Sequence, residues 1–233
     1  MEARLASETD LAGFREEARA LLAHQVPPEA VQWQTSHAQN ADFFADAAGV
    51  TERTHGAPKA ASAIVPASFL RLCEVVVLHH DPDRFALLYR LLWRLVHEPA
   101  LRNNPVDPDM LHAHQMAQAV RRDVHKMKAF VRFREIDNGA AQTLHAAWYE
   151  PTHHILEAAA PWFAKRMPDA RWVIFTPTCS VEADGRKLHF GPGLLRAQAP
   201  SGGAGDAEWL AAYRGVFGDR ALAVNDALGP VAP

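Results

Sequence analysis

The spacing of apolar residues changes period along this chain, and that change constrains the fold more than any other feature. From Ser68 to Lys128 apolar side chains recur every three or four residues, as in Leu87, Leu88, Leu91, Leu92, Leu95 and Val96, then Met116, Ala119, Val120, Val124 and Met127. That is the period of amphipathic helices. From Ala129 the pattern alternates, with Val131 and Phe133 on one side and Phe130, Arg132 and Arg134 on the other. Alternation is the period of a strand, so both arginines are expected on one strand face. Helices followed by strands point to an α+β fold.

The flanking stretches fill in that fold. Residues 2 to 6 read as a short strand. Asp10 to His24 carries Leu11, Phe14, Ala18, Leu21 and Leu22 at helical spacing, with Ser7 as a possible cap, and ends before Pro27-Pro28. Val31 to Gln34 and Ala61 to Val65 alternate as strands, separated by a polar loop from about Ser36 to Pro58. A small N-terminal sheet carrying one helix is therefore expected. In the centre, a helix over 68–80 is followed by Asp81-Pro82, which caps and starts a second helix over 83–97. Arg84, Arg90 and Arg94 are expected to project away from its apolar face. A third helix starts at Asp107-Pro108-Asp109 and completes a central helical bundle.

After Ala129 a hairpin is expected, with Asp137-Asn138-Gly139 as the turn signal and Leu144 to Glu150 as the return strand. Thr152 is placed to cap a helix through Ala159, with Pro161 restarting a turn through Met167. Arg171–Thr176 and Lys187–Phe190 complete a ββαββ antiparallel element around the Asp184-Gly185 turn. One face of such a sheet takes the helix and the other is left free for a ligand. Ser201 to Gly205 is a flexible link to a last helix holding Trp209, Leu210, Tyr213 and Phe217. The expectation is one compact domain over 1–233, with subregions 1–66, 67–128, 129–200 and 201–233.

Charge narrows the functional classes. The chain of 233 residues is 48% hydrophobic with a formal net charge of −3. A protein that coats DNA nonspecifically needs many cations aimed at phosphates, so any nucleic-acid contact here is a local patch. Cys73 and Cys179 belong to no Cys-x-x-Cys pair, and the histidines match no zinc spacing, so neither a metal nor another cofactor is expected. Phe190-Gly191-Pro192-Gly193 lacks the lysine and glycine spacing of a phosphate loop and reads as a turn. The N-terminus has no apolar leader and no stretch spans a membrane, which points to the cytoplasm.

The local patch is the run from Arg121 to Glu135. Its fifteen positions hold six Lys or Arg residues (121, 122, 126, 128, 132 and 134) against two acids (123 and 135), interleaved with Phe130 and Phe133. Cations with aromatics suit a polyanion that carries flat bases.

Three segments carry a family resemblance. Phe85-Ala86-Leu87-Leu88-Tyr89-Arg90-Leu91-Leu92-Trp93-Arg94-Leu95, then Ala119 through Arg134, then Trp148-Tyr149-Glu150-Pro151-Thr152-His153-His154-Ile155-Leu156 resemble a bacterial family described as DNA-metabolism proteins, domain of unknown function 4130. Trp172 to Pro177 and Phe190 to Gly193 match it in kind. The resemblance implies a context of DNA repair or modification. Such domains occur fused to uracil-DNA-glycosylase-like domains or encoded beside a radical SAM protein, so a protein of either kind is an expected partner. Two departures stand out: no glycosylase domain is present, and an Ala-rich end stands where a basic, aromatic tail is expected.

Candidate residues follow. Arg121, Arg122, Lys126 and Lys128 end a helix, where cations also complement the helix dipole and are often simply solvated. The functional reading makes them phosphate contacts, continued by Arg132 and Arg134. Phe130 shares the arginine face and is placed to stack on an unpaired base, although core packing accounts for either phenylalanine. His153 and His154 open a helix, where they hold a phosphate or make structural hydrogen bonds. His125, Glu150 and His154 are the candidate acid–base groups. The expected function is a DNA-binding accessory or partner protein of DNA repair or modification, acting on single-stranded or damaged duplex DNA. The alternatives are an enzyme on a nucleotide or damaged base using His125, Glu150 and His154, and a protein–protein adaptor.

Overall fold

The computed structural model describes residues 1–36, 65–104, 106–137, 143–184, 187–201 and 203–218. The fold is mixed α+β, as the change of period implies. The chain forms two compact units, Met1–Arg122 and Asp123–Pro233. The expected strand over 61–65 and most of the loop before it lie outside the described residues, as do the centres of the two turn signals at 138–139 and 185.

In the first unit β1 (Glu2–Leu5) pairs in parallel with β2 (Gln32–Thr35), Ala3 standing opposite Trp33. The connection runs through α1 (Leu11–Ala23), whose buried side is Phe14, Ala18 and Leu21. Its cap is Asp10, which accepts the Gly13 amide at 2.8 Å, and Ser7 does not serve. Helices α2 (Ala67–Val76) and α3 (Arg84–His97) supply most of the remaining core, including Leu72, Val76, Leu88, Leu91 and Leu95. Phe14 lies 5.1 Å from Trp33 and 5.6 Å from Phe85, ring centre to ring centre, which ties sheet and helices together.

Arg84 departs from expectation. Its side chain is buried at the start of α3, donating to the carbonyls of Val77 and Asp81, both at 2.9 Å, and to the Glu8 carboxylate at 2.6 Å. Helical spacing put it off the apolar stripe, but the carbonyls after α2 lie within its reach and tertiary folding brings Glu8 to its other side. Arg90 and Arg94 behave as expected and pair with the start of α4 (Pro108–Phe130). Arg90 grips Asp109 through two bonds of 3.0 and 2.9 Å, and Arg94 reaches Asp107 at 2.7 Å. Asp107 also accepts the Met110 amide at 3.1 Å, so one carboxylate caps the helix and holds α3.

The change of period comes later than the alternation indicates. Helix α4 continues through Phe130, and the strand that follows, β3 (Arg134–Ile136), has only three residues. Val131 explains the discrepancy: it sits two residues before Phe133, as in a strand, but also four after Met127, continuing the helix's buried side. Both Met127 and Val131 are buried, and the Val131 amide still donates to the Met127 carbonyl at 3.0 Å. Consequently Arg132 and Arg134 do not share a strand face.

The second unit is a five-stranded sheet in the order β3-β4-β5-β6-β7, with β4 (Leu144–Trp148), β5 (Arg171–Phe175), β6 (Cys179–Asp184) and β7 (Leu188–Pro192). Neighbours are antiparallel except β4 and β5, which run parallel because α5 (Leu156–Arg166) crosses between them. The expected ββαββ order lacks β6. That strand hides from a polarity pattern because its Ser180 and Glu182 are polar yet buried. Helix α5 also differs from expectation, since no side chain caps it and Pro161 lies inside it. Burial of Ala159, Ala160 and Phe163 on one side outweighs the hydrogen bond that proline removes.

A helix packs on each face of the sheet at β5. Phe163 of α5 and Phe133 pack on Trp172 of β5, with ring centres 6.1 Å away in each case. On the opposite face α6 (Asp206–Phe217) buries Trp209 and Tyr213 with Ala146, Val173 and Phe175. The residues of β5 thus alternate between two helices. This is why all five are buried, and why β5 offers no open face to a ligand where a two-layer arrangement would leave one.

Candidate nucleic-acid interface

The last three turns of α4 present Arg and Lys side chains and one large apolar ring to solvent. Arg121, Arg122, His125 and Lys126 are exposed, and Phe130 is 64% exposed. Helical geometry stacks residues four apart, so Arg122, Lys126 and Phe130 form one ridge. The acid within this stretch, Asp123, points the other way. It is buried, and its carboxylate accepts the His153 amide at 2.9 Å. Arg121, Arg122 and Lys126 are thus exposed on these turns while the intervening carboxylate is not.

Asp123 thus organises the segment that leads from β4 into α5. The Tyr149 amide extends the parallel ladder by donating to the Phe175 carbonyl at 2.9 Å. Burial, then the negative charge of Asp123, pushes the Tyr149 phenol above its ordinary value. His153 is buried, unlike a residue that offers itself to a phosphate, whereas His154 is half-buried and Glu150 exposed. His125 lies on α4, while Glu150 and His154 lie in this segment. A cleft of about 410 Å³ in the first unit, lined by residues such as Phe69, Leu72 and Leu95, contains none of the three candidate acid–base groups.

The arginines beyond the helix have other work. Arg132 folds back to donate to the carbonyls of Ala129 at 2.8 Å and Val131 at 3.2 Å, satisfying acceptors that the helix end leaves open. Arg134 pairs with Asp206 at 3.1 Å, at the start of α6. Lys128 turns toward α5, its ammonium 5.6 Å from the ring centre of Trp162.

Trp162 was not singled out by the sequence reading. It is 39% exposed, and Lys165 and Arg166, three and four residues on, are exposed as well. The interruption at Pro161 concealed that all three belong to one helix face. Had α5 been drawn through the proline, the spacing Trp162, Lys165, Arg166 would have shown a second cationic and aromatic surface.

A family model described as a domain of unknown function, DUF4130, matches residues 82–213. The chain belongs to that family. The DUF4130 span takes in α3, α4, the sheet, α5 and α6 as far as Tyr213, hence Lys126, Phe130, Asp123 and Trp162, and it begins after β1, α1, β2 and α2. No curated protein and no solved structure matches the chain. Among the described residues, no helix is long and apolar enough to cross a membrane.

Proposed function

We propose that this protein is a DNA-binding accessory of DNA repair or modification, docking nucleic acid on the exposed side of the last turns of α4. The observation that carries the reading is the orientation of the α4 residues: Arg122, Lys126 and Phe130 share an exposed ridge while Asp123 is withdrawn into the interior. Solvated helix-end cations do not require the intervening acid to be hidden or an apolar ring to stand in water beside them. The surface is small, which agrees with a net charge of −3 and with a local contact in place of a coating one. On this reading the protein hands a damaged or altered base to, or receives it from, a separate enzyme. The resemblance in the Arg121–Arg134 and Trp148–Leu156 segments makes a radical SAM protein or a uracil-DNA-glycosylase-like protein the expected partner.

Binding to a labelled oligonucleotide as a function of salt tests the reading. Each phosphate contact contributes roughly 0.9 to the slope of log affinity against log salt on duplex DNA, and roughly 0.7 on a single strand. Reversing two contacts with Arg122→Glu and Lys126→Glu is expected to abolish most low-salt affinity and flatten the slope by about 1.8 on duplex and about 1.4 on a single strand. No detectable binding by the unmodified protein at low salt, or an unchanged slope in the double variant, would sink it.

A further inference from the structure

We infer that Trp162 is a stacking platform for an unpaired base, on the flank of α4 that carries Lys128, so that the protein takes single-stranded DNA or a strand with a locally unpaired nucleotide. This rests on the nucleic-acid reading of α4 and names the form of the ligand. Helix α5 buries Leu156, Ala159, Ala160 and Phe163, and Trp162 stands outside that stripe. Its ring is nonetheless held. It meets Phe163 edge-on at 5.0 Å and 88°, and Phe163 in turn sits 5.9 Å from Phe133 and 6.1 Å from Trp172, inside the sheet's packed face. A large aromatic with a rigid mount and an open side loses little freedom when a flat partner settles on it.

Charge selects that partner. Lys128 holds its ammonium near the Trp162 ring, and Lys165 and Arg166 project from the next turn on the same side. The acid of this helix, Glu157, lies five residues before Trp162, on another ridge. An apolar protein surface has no use for three cations around one ring, whereas a nucleotide brings a base for the ring and a phosphate for the lysines. The Lys128 stem is flexible, so its ammonium moves from the ring to the phosphate as a base enters. Paired bases present no free face, which makes this platform selective for an open strand.

The test compares a fluorescein-labelled 20-mer of thymidylate with a 20-base-pair duplex, using the unmodified protein, Trp162→Ala, Trp162→Phe and the Arg122→Glu/Lys126→Glu double variant. Trp162→Ala is expected to weaken single-strand binding about tenfold, within the range of one lost base–aromatic stack. Duplex binding should stay within about twofold, and Trp162→Phe should retain most of the affinity. An unchanged single-strand to duplex ratio in Trp162→Ala overturns this inference and leaves the α4 reading standing, provided the double variant still loses binding. If the unmodified protein binds neither oligonucleotide, both fall. Vesicles containing phosphatidylglycerol form the last arm. Trp162-dependent sedimentation with them, without Trp162-dependent oligonucleotide binding, assigns the platform to a membrane surface and overturns the proposal.

Discussion

Tyr213 on α6 donates its phenolic hydroxyl to the carboxylate of Glu182 on β6, inside the face of the sheet that α6 covers. Arg171 on β5 completes the arrangement, donating to the Tyr213 oxygen at 2.9 Å and to Glu182 at 3.1 Å. Three polar groups that would each be costly alone are mutually satisfied, and they attach α6 to β5 and β6. Glu182→Ala leaves a buried guanidinium without its carboxylate, and breaking such a pair from one side costs about 3–5 kcal/mol. Tyr213→Phe removes a hydrogen bond to a charged group, a loss of roughly 1.5–3 kcal/mol. Urea unfolding followed by tryptophan fluorescence measures both, and a Glu182→Ala cost under about 1 kcal/mol would contradict the assignment.

Asp107 should govern part of the acid limb of stability. The hydrogen bonds from Arg94 hold its carboxyl below the ordinary aspartate range. A carboxyl lowered in the folded state contributes fully above its unfolded value of roughly 3.9, and that contribution is lost as pH falls through the folded value below it. Asp107→Ala also removes a helix cap, worth about 1 kcal/mol. The variant is expected to be less stable than the parent at pH 7, with the gap narrowing as pH falls below roughly 3.9. A gap that is constant across this window would show that the ion pair contributes nothing.

Gly193 and Gly191 should differ in their tolerance of a methyl group. A Cβ at Gly193 would stand 2.1 Å from the Pro177 carbonyl oxygen, which is backbone of the β5–β6 turn and cannot move aside cheaply. At Gly191 it would meet side-chain carbons of Phe217 and Val216 at 3.1 Å, which yield by a small shift of α6. Gly193→Ala is therefore expected to destabilise by several kcal/mol, of order 2–4, and Gly191→Ala by about 1. Thermal melting ranks them, and the reverse order would mean that the turn is freer than its hydrogen bond from Leu194 to Thr176, 2.8 Å, implies.

The two thiols should react at very different rates. Burial in the core beside Val76 and Leu72 pushes Cys73 up to about 12, while Cys179, also raised by burial, is partly exposed at the start of β6. Because the thiolate is the nucleophile, Cys73 should react with a disulfide reagent at pH 8 only through unfolding. The fast phase in native protein is expected to account for at most one thiol, against two in guanidinium. The same shift has an alkaline consequence. The unfolded thiol ionises near 8.5, so the stability held by the protonated form is present below that value and is lost as pH rises toward 12. Rapid native reaction of both thiols would rule out the buried position of Cys73.

Much of this fold is readable from the residues. The helical period of Leu87 to Val96 and of Met116 to Met127, the Asp107-Pro108 start of α4, and the short strands that hold Trp148 and Trp172 between turn signals all rest on local rules. The exposed cations of α4 were legible for the same reason. Where reading failed, one pattern fitted two structures. Val131 satisfies both a strand that includes Phe133 and a helix that includes Met127. Pro161 obeys a rule against helix interiors that the burial of Phe163 overrides.

What the sequence determined by itself, then, is the α+β composition, the family, and a cluster of cations with an aromatic near residues 121–130. Which way those residues face was decided only by tertiary structure. Asp123 is one acid in a charged run until the fold buries it against the His153 amide, and Arg134 is one cation until α6 arrives with Asp206. Glu182 looks like a surface residue until Arg171 and Tyr213 close around it. In each case the deciding partner lies thirty or more residues away or on another strand. A charge finds its environment through long-range packing, which a local pattern does not contain.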